Sequence, residues 1–126
     1  MKTKQPKQKE LPIEKLTIDR KRWLRGETDS VLRNKEGLMC CLGFYCLRKR
    51  FKVADILNVS SPSNVIYING TTRLDRLIVL DDDADDNAVC NNLMIINDNT
   101  DISDKQRERR ITQLFKKINV EVKFVN

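Results

Sequence analysis

"SDKQRERRITQLFKKINVEVKF", residues 103–124, carries two periodicities back to back. Ile111, Leu114, Phe115 and Ile118 recur at i, i+3, i+4 and i+7, which lines one face of an α-helix. Ser103 with Gln106 three residues on matches a capping box, in which side chain and backbone of the first turn exchange hydrogen bonds. Asn119 is a residue type that tolerates the left-handed conformation and so stops a helix. From Val120 to Phe124 apolar and polar residues alternate strictly, the period of a half-buried strand. A helix running into a strand within so short a stretch places the chain in the α+β class.

Moving back toward the N-terminus, residues 15–19 also alternate, with Leu16 and Ile18 on one face, and predict a first strand. Gly26 closes the cation-rich turn that follows, and residues 30–34 form a second short extended run, turned by Lys35-Glu36-Gly37. Residues 38–51 predict a helix whose Leu38, Leu42 and Cys46 share a face, with Cys41 and Tyr45 beside them. Its end, Arg48-Lys49-Arg50, suits the negative pole of the helix dipole. Gly43 lies inside this helix, where glycine costs about 1 kcal/mol relative to alanine; a close backbone approach would justify it. Residues 58–64 are a loop by composition. Residues 65–68 and 77–80 are β-prone runs, and the Asn69-Gly70 pair between them is a hairpin-type turn. Residues 86–96 follow a run of aspartates suited to a helix N-terminus and predict a helix, although 93–96 equally fit a buried strand. Asn97-Asp98-Asn99 is a turn by composition. The expected architecture is one small α+β domain over residues 11–126, with a short antiparallel or mixed sheet packed with two to three helices.

The length of 126 residues suits one domain with one core. Residues 1–10 hold four lysines against Glu10, which is half of the net charge of +6, and predict a disordered basic tail. No aromatic interleaves with those lysines, so the tail offers bases no stacking surface. The N-terminal cations precede no apolar segment, and no apolar run approaches the ~18 residues of a membrane span. The expectation is a cytoplasmic protein without membrane contact, in a compartment where thiols stay reduced.

Three of the four cysteines, Cys40, Cys41 and Cys46, crowd into seven positions. A nucleophilic thiolate usually needs a histidine base, and the chain has no histidine. That composition excludes Cys–His hydrolases and zinc-water enzymes with histidine ligands, and leaves only a thiol or redox role for cysteines at a helix start. Zinc held by four sulfurs shows paired CxxC spacing, which is absent, so no metal is expected. The remaining reading treats Cys40, Cys41 and Cys46, with Leu42 and Gly43, as packing in the core, together with Ile111, Leu114, Phe115 and Ile118. The aspartate run from Asp81 imitates the first ligands of a calcium loop, but Asp86 stands at the glycine position and Asn92 at the glutamate position. No phosphate-binding or dinucleotide motif is present, and no catalytic residue or cofactor is expected.

Two cationic groups are the candidate binding residues. Arg20, Arg22 and Arg25 surround Trp23, and arginine forks beside an aromatic ring suit phosphates and bases, although Trp23 also suits a core anchor. Arg107, Arg109 and Arg110, with Lys105, Lys116 and Lys117, project from the polar sides of the last helix, where Asp104 and Glu108 interleave.

Three stretches, "LTIDRKRWLRGE" (16–27), "LRNKEGLMCCLGFYC" (32–46) and residues 93–126, together resemble a set of small tailed-phage and prophage proteins. That set shares a glycine ahead of a Cys-Cys-Leu-Gly run and a late Asn-Asp, here Gly37, Cys40, Cys41, Leu42, Gly43, Asn97 and Asp98. The resemblance implies a viral origin and expression in a bacterial cytoplasm, and carries no activity with it. The expected function is that of a non-enzymatic accessory protein of the host-takeover or anti-defence type. It would bind a bacterial host protein or a nucleotide signal, the latter at an oligomer interface. A nucleic-acid-binding module and a thiol protein are the alternatives.

Overall fold

The structure, a computed structural model, describes residues 12–27, 30–69, 73–78 and 88–126. The basic tail and the aspartate run therefore lie outside the described residues. Strand β1 (Glu14–Asp19) leads into a 3-10 turn at Arg20–Arg22. Helix α1 (Cys41–Arg48), the single turn α2 (Val53–Ile56), helix α3 (Pro62–Asn69) and the single turn α4 (Asp75–Ile78) follow. Helix α5 (Ala88–Asp98), helix α6 (Asp104–Lys116) and strand β2 (Val120–Val125) complete the order.

The two strands form one parallel sheet in which Glu14 faces Val120 and Asp19 faces Val125. The small α+β arrangement expected is present, and its strand pair is parallel rather than antiparallel, which the mixed alternative allowed. Parallel strands need a crossover rather than a hairpin, and here everything from α1 to α6 supplies it. Helix α6 packs against β2. Asn119, at φ 64, then reverses the chain straight into β2, so β2 enters the sheet from the same end as β1. Leu16 and Ile18 point into the core while Lys15 and Thr17 face out, as the alternation requires.

Helix α6 has the cap read from the sequence: the Ser103 hydroxyl accepts from the Gln106 N–H, and the Gln106 side chain accepts from the Ser103 N–H. Ile111 and Phe115 are fully buried, Ile118 is buried and Leu114 half-buried. Helix α1 starts later than residue 38 because Met39 is engaged elsewhere. Its N–H donates to Arg22 C=O and its C=O accepts from Leu24 N–H, a bridge between Trp23 and Met39. Residues 30–34, expected as a short strand, form none: the chain bends at Leu32, Arg33 makes an isolated bridge to Leu57, and Leu32 N–H donates to Val59 C=O.

Residues 65–68, and residues 77–78 of the second β-prone run, are helical instead. Ser61 C=O accepts from the N–H groups of Asn64 and Val65, and Pro62 stands at the first helical position. A serine followed by proline is a helix start, because proline lacks the N–H that would go unbonded there. It overrides the β preference of the residues behind it, which is strongly context-dependent. In α4, Leu74 just ahead of the turn and Leu77 within it are buried three residues apart, a helical spacing. Gly70 and residues 79–80 lie outside the described residues. The apolar run 93–96 is helical within α5, which also takes in Asn97 and Asp98, so the expected turn begins only at Asn99.

One cluster of buried residues joins these elements, with Tyr45 and Phe115 rings 5.8 Å apart and Trp23 and Phe124 rings 5.1 Å apart. Among the described residues no helix is long and apolar enough to cross a membrane.

Candidate functional site

Helix α1 begins without a side-chain cap of its own, since Cys40 stands at the cap position and makes no such bond. Asn97, from the end of α5, takes that role across the core. Its Oδ1 accepts from Cys41 N–H at 3.0 Å and from Trp23 Nε1 at 2.8 Å. Its Nδ2 donates to Leu24 C=O at 2.9 Å and to Asp98 Oδ1 at 3.0 Å, and the same Asp98 oxygen accepts from the Ser30 hydroxyl. Asn97 is 1% exposed, and its amide has all four bonding positions filled. Gly43, two residues into the helix, lies so close to Leu32 that a Cβ would sit 1.8 Å from the Leu32 carbonyl oxygen. The Cys-Cys-Leu-Gly and Asn-Asp stretches thus meet in one place, where the Asn97 side chain takes the Cys41 N–H and ties α1 to α5.

The thiols in this junction are interior. Burial pushes the Cys40 thiol up to about 12 against the pull of backbone N–H groups at Leu42 and Gly43, with the Asp98 and Cys90 charges adding to the rise. Burial, then the neighbouring charges, put Cys41 well above the ordinary range. Burial likewise raises Cys46, and carries Cys90 to about 11. All four stay neutral at physiological pH, and a neutral thiol is a poor nucleophile and a poor metal ligand. Among the described residues no three or more Cys, Asp or Glu side chains gather as a metal would require.

The seven cationic-cluster residues separate into two groups. Arg20 forms a two-pronged pair with Glu108, both bonds 2.8 Å, and lies over the Phe124 ring. Arg25 donates to the Arg20 and Trp23 carbonyls, pairs with Asp104 and lies 4.6 Å from the Trp23 ring centre. Trp23 is 4% exposed with its N–H bonded to Asn97, so its ring is packed inside and presents no stacking face to a ligand. Arg107 does not project from the helix as the polar pattern suggests. It is 3% exposed, and its guanidinium donates to the carbonyls of Ile96, Asn97, Asn99 and Ile102 and to Asp104. It closes the end of α5, whose last carbonyls have no helical partner. Arg22, Arg109 and Arg110 are exposed.

This separation divides α6 lengthwise. Both acids of the helix, Asp104 and Glu108, are held by arginines on the flank toward residues 20–25. Lys105, Arg109, Arg110, Lys116 and Lys117 are exposed around the rest of its circumference. Among the described residues no carboxylate pairs with any of the five. Where α6 meets α5 the face continues into an open groove of about 300 Å³. Ile95, Ile96 and Leu114 supply its apolar lining, Arg110 and Lys117 its charge, and Asn92 and Gln113 an amide from each helix. Of these only Arg110 is among the arginines singled out from the sequence as binding residues. Ile95 was discoverable: it falls out of phase with Leu93 and Ile96, and an isoleucine on the polar side of a helix is unexpected.

Comparison with family models, with curated proteins and with solved structures finds no match to this chain.

Proposed function

We propose that the chain is a non-enzymatic accessory protein of a phage or prophage, at work in the bacterial cytoplasm, that binds a negatively charged bacterial target through the outward side of α6. The observation that supports this most directly is the division of charge along that helix. Its acids are tied to Arg20, Arg25 and Arg107, so the solvent side carries five cations with no compensating carboxylate among the described residues. A one-sign surface of this kind raises the local concentration of anionic partners and speeds their docking. The neutral, enclosed state of the four thiols supports a role without bond-making. The resemblance of three stretches to small tailed-phage proteins supports the setting.

The test is affinity purification from infected bacteria, with mass spectrometry for proteins and retained nucleotides. The wild-type chain is expected to retain a partner that the double variant Arg109→Glu/Lys116→Glu loses. Equal recovery by both chains, or no partner together with no effect on infection, overturns the reading.

The same five cations favour a second reading, a module that grips nucleic acid through phosphates. It requires duplex affinity that falls steeply with salt, because each neutralised phosphate releases counterions. Affinity that ignores salt, or none at low salt, removes it.

A further inference from the structure

We infer that the groove between α5 and α6 seats an acidic amphipathic helix supplied by a partner protein. The inference rests on the reading of α6 as a binding surface and names what that surface receives.

Ile95 is 62% exposed, more than Ile13, Val53 or Leu57, the other large apolar side chains left open. It is not an isolated surface residue, because it joins Ile96 of its own helix and Leu114 of α6 in one concave strip. Arg110 in α6 and Lys117 just past its end, about two helical turns on, flank that strip, and among the described residues no acid lines it. An apolar strip bordered by cations is complementary to a helix with apolar side chains at i, i+3 or i+4 and i+7 and carboxylates beside them. Asn92 and Gln113 offer amides to the polar edge of such a helix.

Two other occupants fit less well. Among the described residues nucleic acid would meet no aromatic ring in the groove on which a base could stack, and phosphates gain nothing from three aliphatic side chains. A second copy of this chain would bring the same cations face to face, and like charges brought together across an interface oppose association.

The experiment pans the intact protein against a displayed library of random peptides roughly 15 residues long, about four helical turns. A duplex DNA oligonucleotide is titrated in parallel. Selected peptides are expected to be acidic with apolar residues at helical spacing. Scrambling a selected peptide at constant composition is expected to weaken it about tenfold or more, because the charge stays but the apolar stripe is lost. Ile95→Asp and Arg110→Glu/Lys117→Glu should each cost about tenfold, the effect of losing one buried anchor or reversing two rim charges. All three positions are exposed or half-buried, and an unchanged circular dichroism spectrum checks that the variants fold.

Selection of peptides without acidic, helically spaced character overturns the inference. So does binding that survives scrambling or Ile95→Asp. DNA binding abolished by Arg109→Glu/Lys116→Glu but indifferent to Ile95→Asp would overturn the groove assignment while leaving the cationic surface standing. Loss of all binding partners in the purification from infected cells would remove the surface itself.

Discussion

Helix α1 is fastened at its two ends by opposite chemistry. At its start, the hub is an uncharged amide: Asn97 caps Cys41 and ties in Trp23 and Leu24, while Asp98 accepts from its Nδ2. At its far end, a buried carboxylate is the centre. Glu14 of β1 accepts from the Tyr45 hydroxyl and from Lys49 Nζ, with Arg76 Nε 3.6 Å away. Arg76 also reaches back to the carbonyls of Pro12, Ile118 and Asn119, so the cluster draws both strands and α4 together. The bonds from Asn97 to Cys41, Trp23 and Leu24 join uncharged groups, whereas those of Glu14 draw on a carboxylate that must stay ionised. The comparison also separates two uses of charge in this chain. Glu14, Glu108 and Asp104 are matched by cations and build the fold; the cations on the far side of α6 have no carboxylate partner among the described residues.

The contrast can be broken in four places. The largest effect is expected at Gly43. Alanine there drives a methyl into the Leu32 carbonyl, and relief requires moving the backbone of one segment or the other. A loss of about 3 kcal/mol in denaturant unfolding is expected, and a loss under about 1 kcal/mol would mean that the junction is looser than its geometry. Next comes Asn97→Ala, which strands the Trp23 and Cys41 N–H groups and the Leu24 carbonyl in the interior. It should cost about 2–3 kcal/mol in denaturant unfolding near neutral pH.

Glu14→Gln should behave differently. Burial alone would raise the Glu14 carboxyl, but hydrogen bonds from Lys49 and Tyr45 and the Lys49 and Arg76 charges outweigh it and hold the group below its ordinary value of 4.5. A lowered native pKa means that ionised Glu14 stabilises the fold fully above the unfolded value, and that this contribution fades as the pH falls through the native one. The variant should therefore lose about 1–2 kcal/mol near neutral pH, a deficit that shrinks toward zero as both chains are unfolded at successively lower pH. A constant deficit would show that Glu14 acts through shape rather than charge. The smallest effect belongs to Glu108→Gln. Its partner Arg20 is partly exposed, and solvent screens such pairs so that they contribute little. The substitution should instead register in high salt, where wild type and variant converge.

The two ends of α1 also differ in how visible they are in the sequence. Local patterns carry over well: the stripe Ile111–Leu114–Phe115–Ile118, the Ser103 cap and the alternation after Asn119 all act within a few residues. Gly43 could be read as a close approach because glycine inside a helix needs a reason. The misreadings come where one local preference met another, as when the start at Ser61-Pro62 prevailed over a β-branched run. Long-range partners left no local trace. Asn97 lies 56 residues from Cys41 and 74 from Trp23, and nothing around it in sequence distinguishes a core hub from a turn residue. Arg107 looks like its neighbours Arg109 and Arg110, because helical periodicity does not show that the end of α5 needs a donor at that one position. In the groove, Arg110 was legible by charge and Ile95 only by its being out of phase.

The pairing of β1 with β2 has a consequence for the order of events during synthesis. Residue 14 leaves the ribosome long before residue 120, yet the two are neighbours in the finished sheet. Until that late segment emerges, Leu16 and Ile18 have no strand beside them and Trp23 lacks the ring of Phe124. Pairings this distant in sequence close late and slowly. The nascent chain therefore exposes an unpaired, apolar strand edge throughout most of its translation, which is when a chaperone would have its work to do.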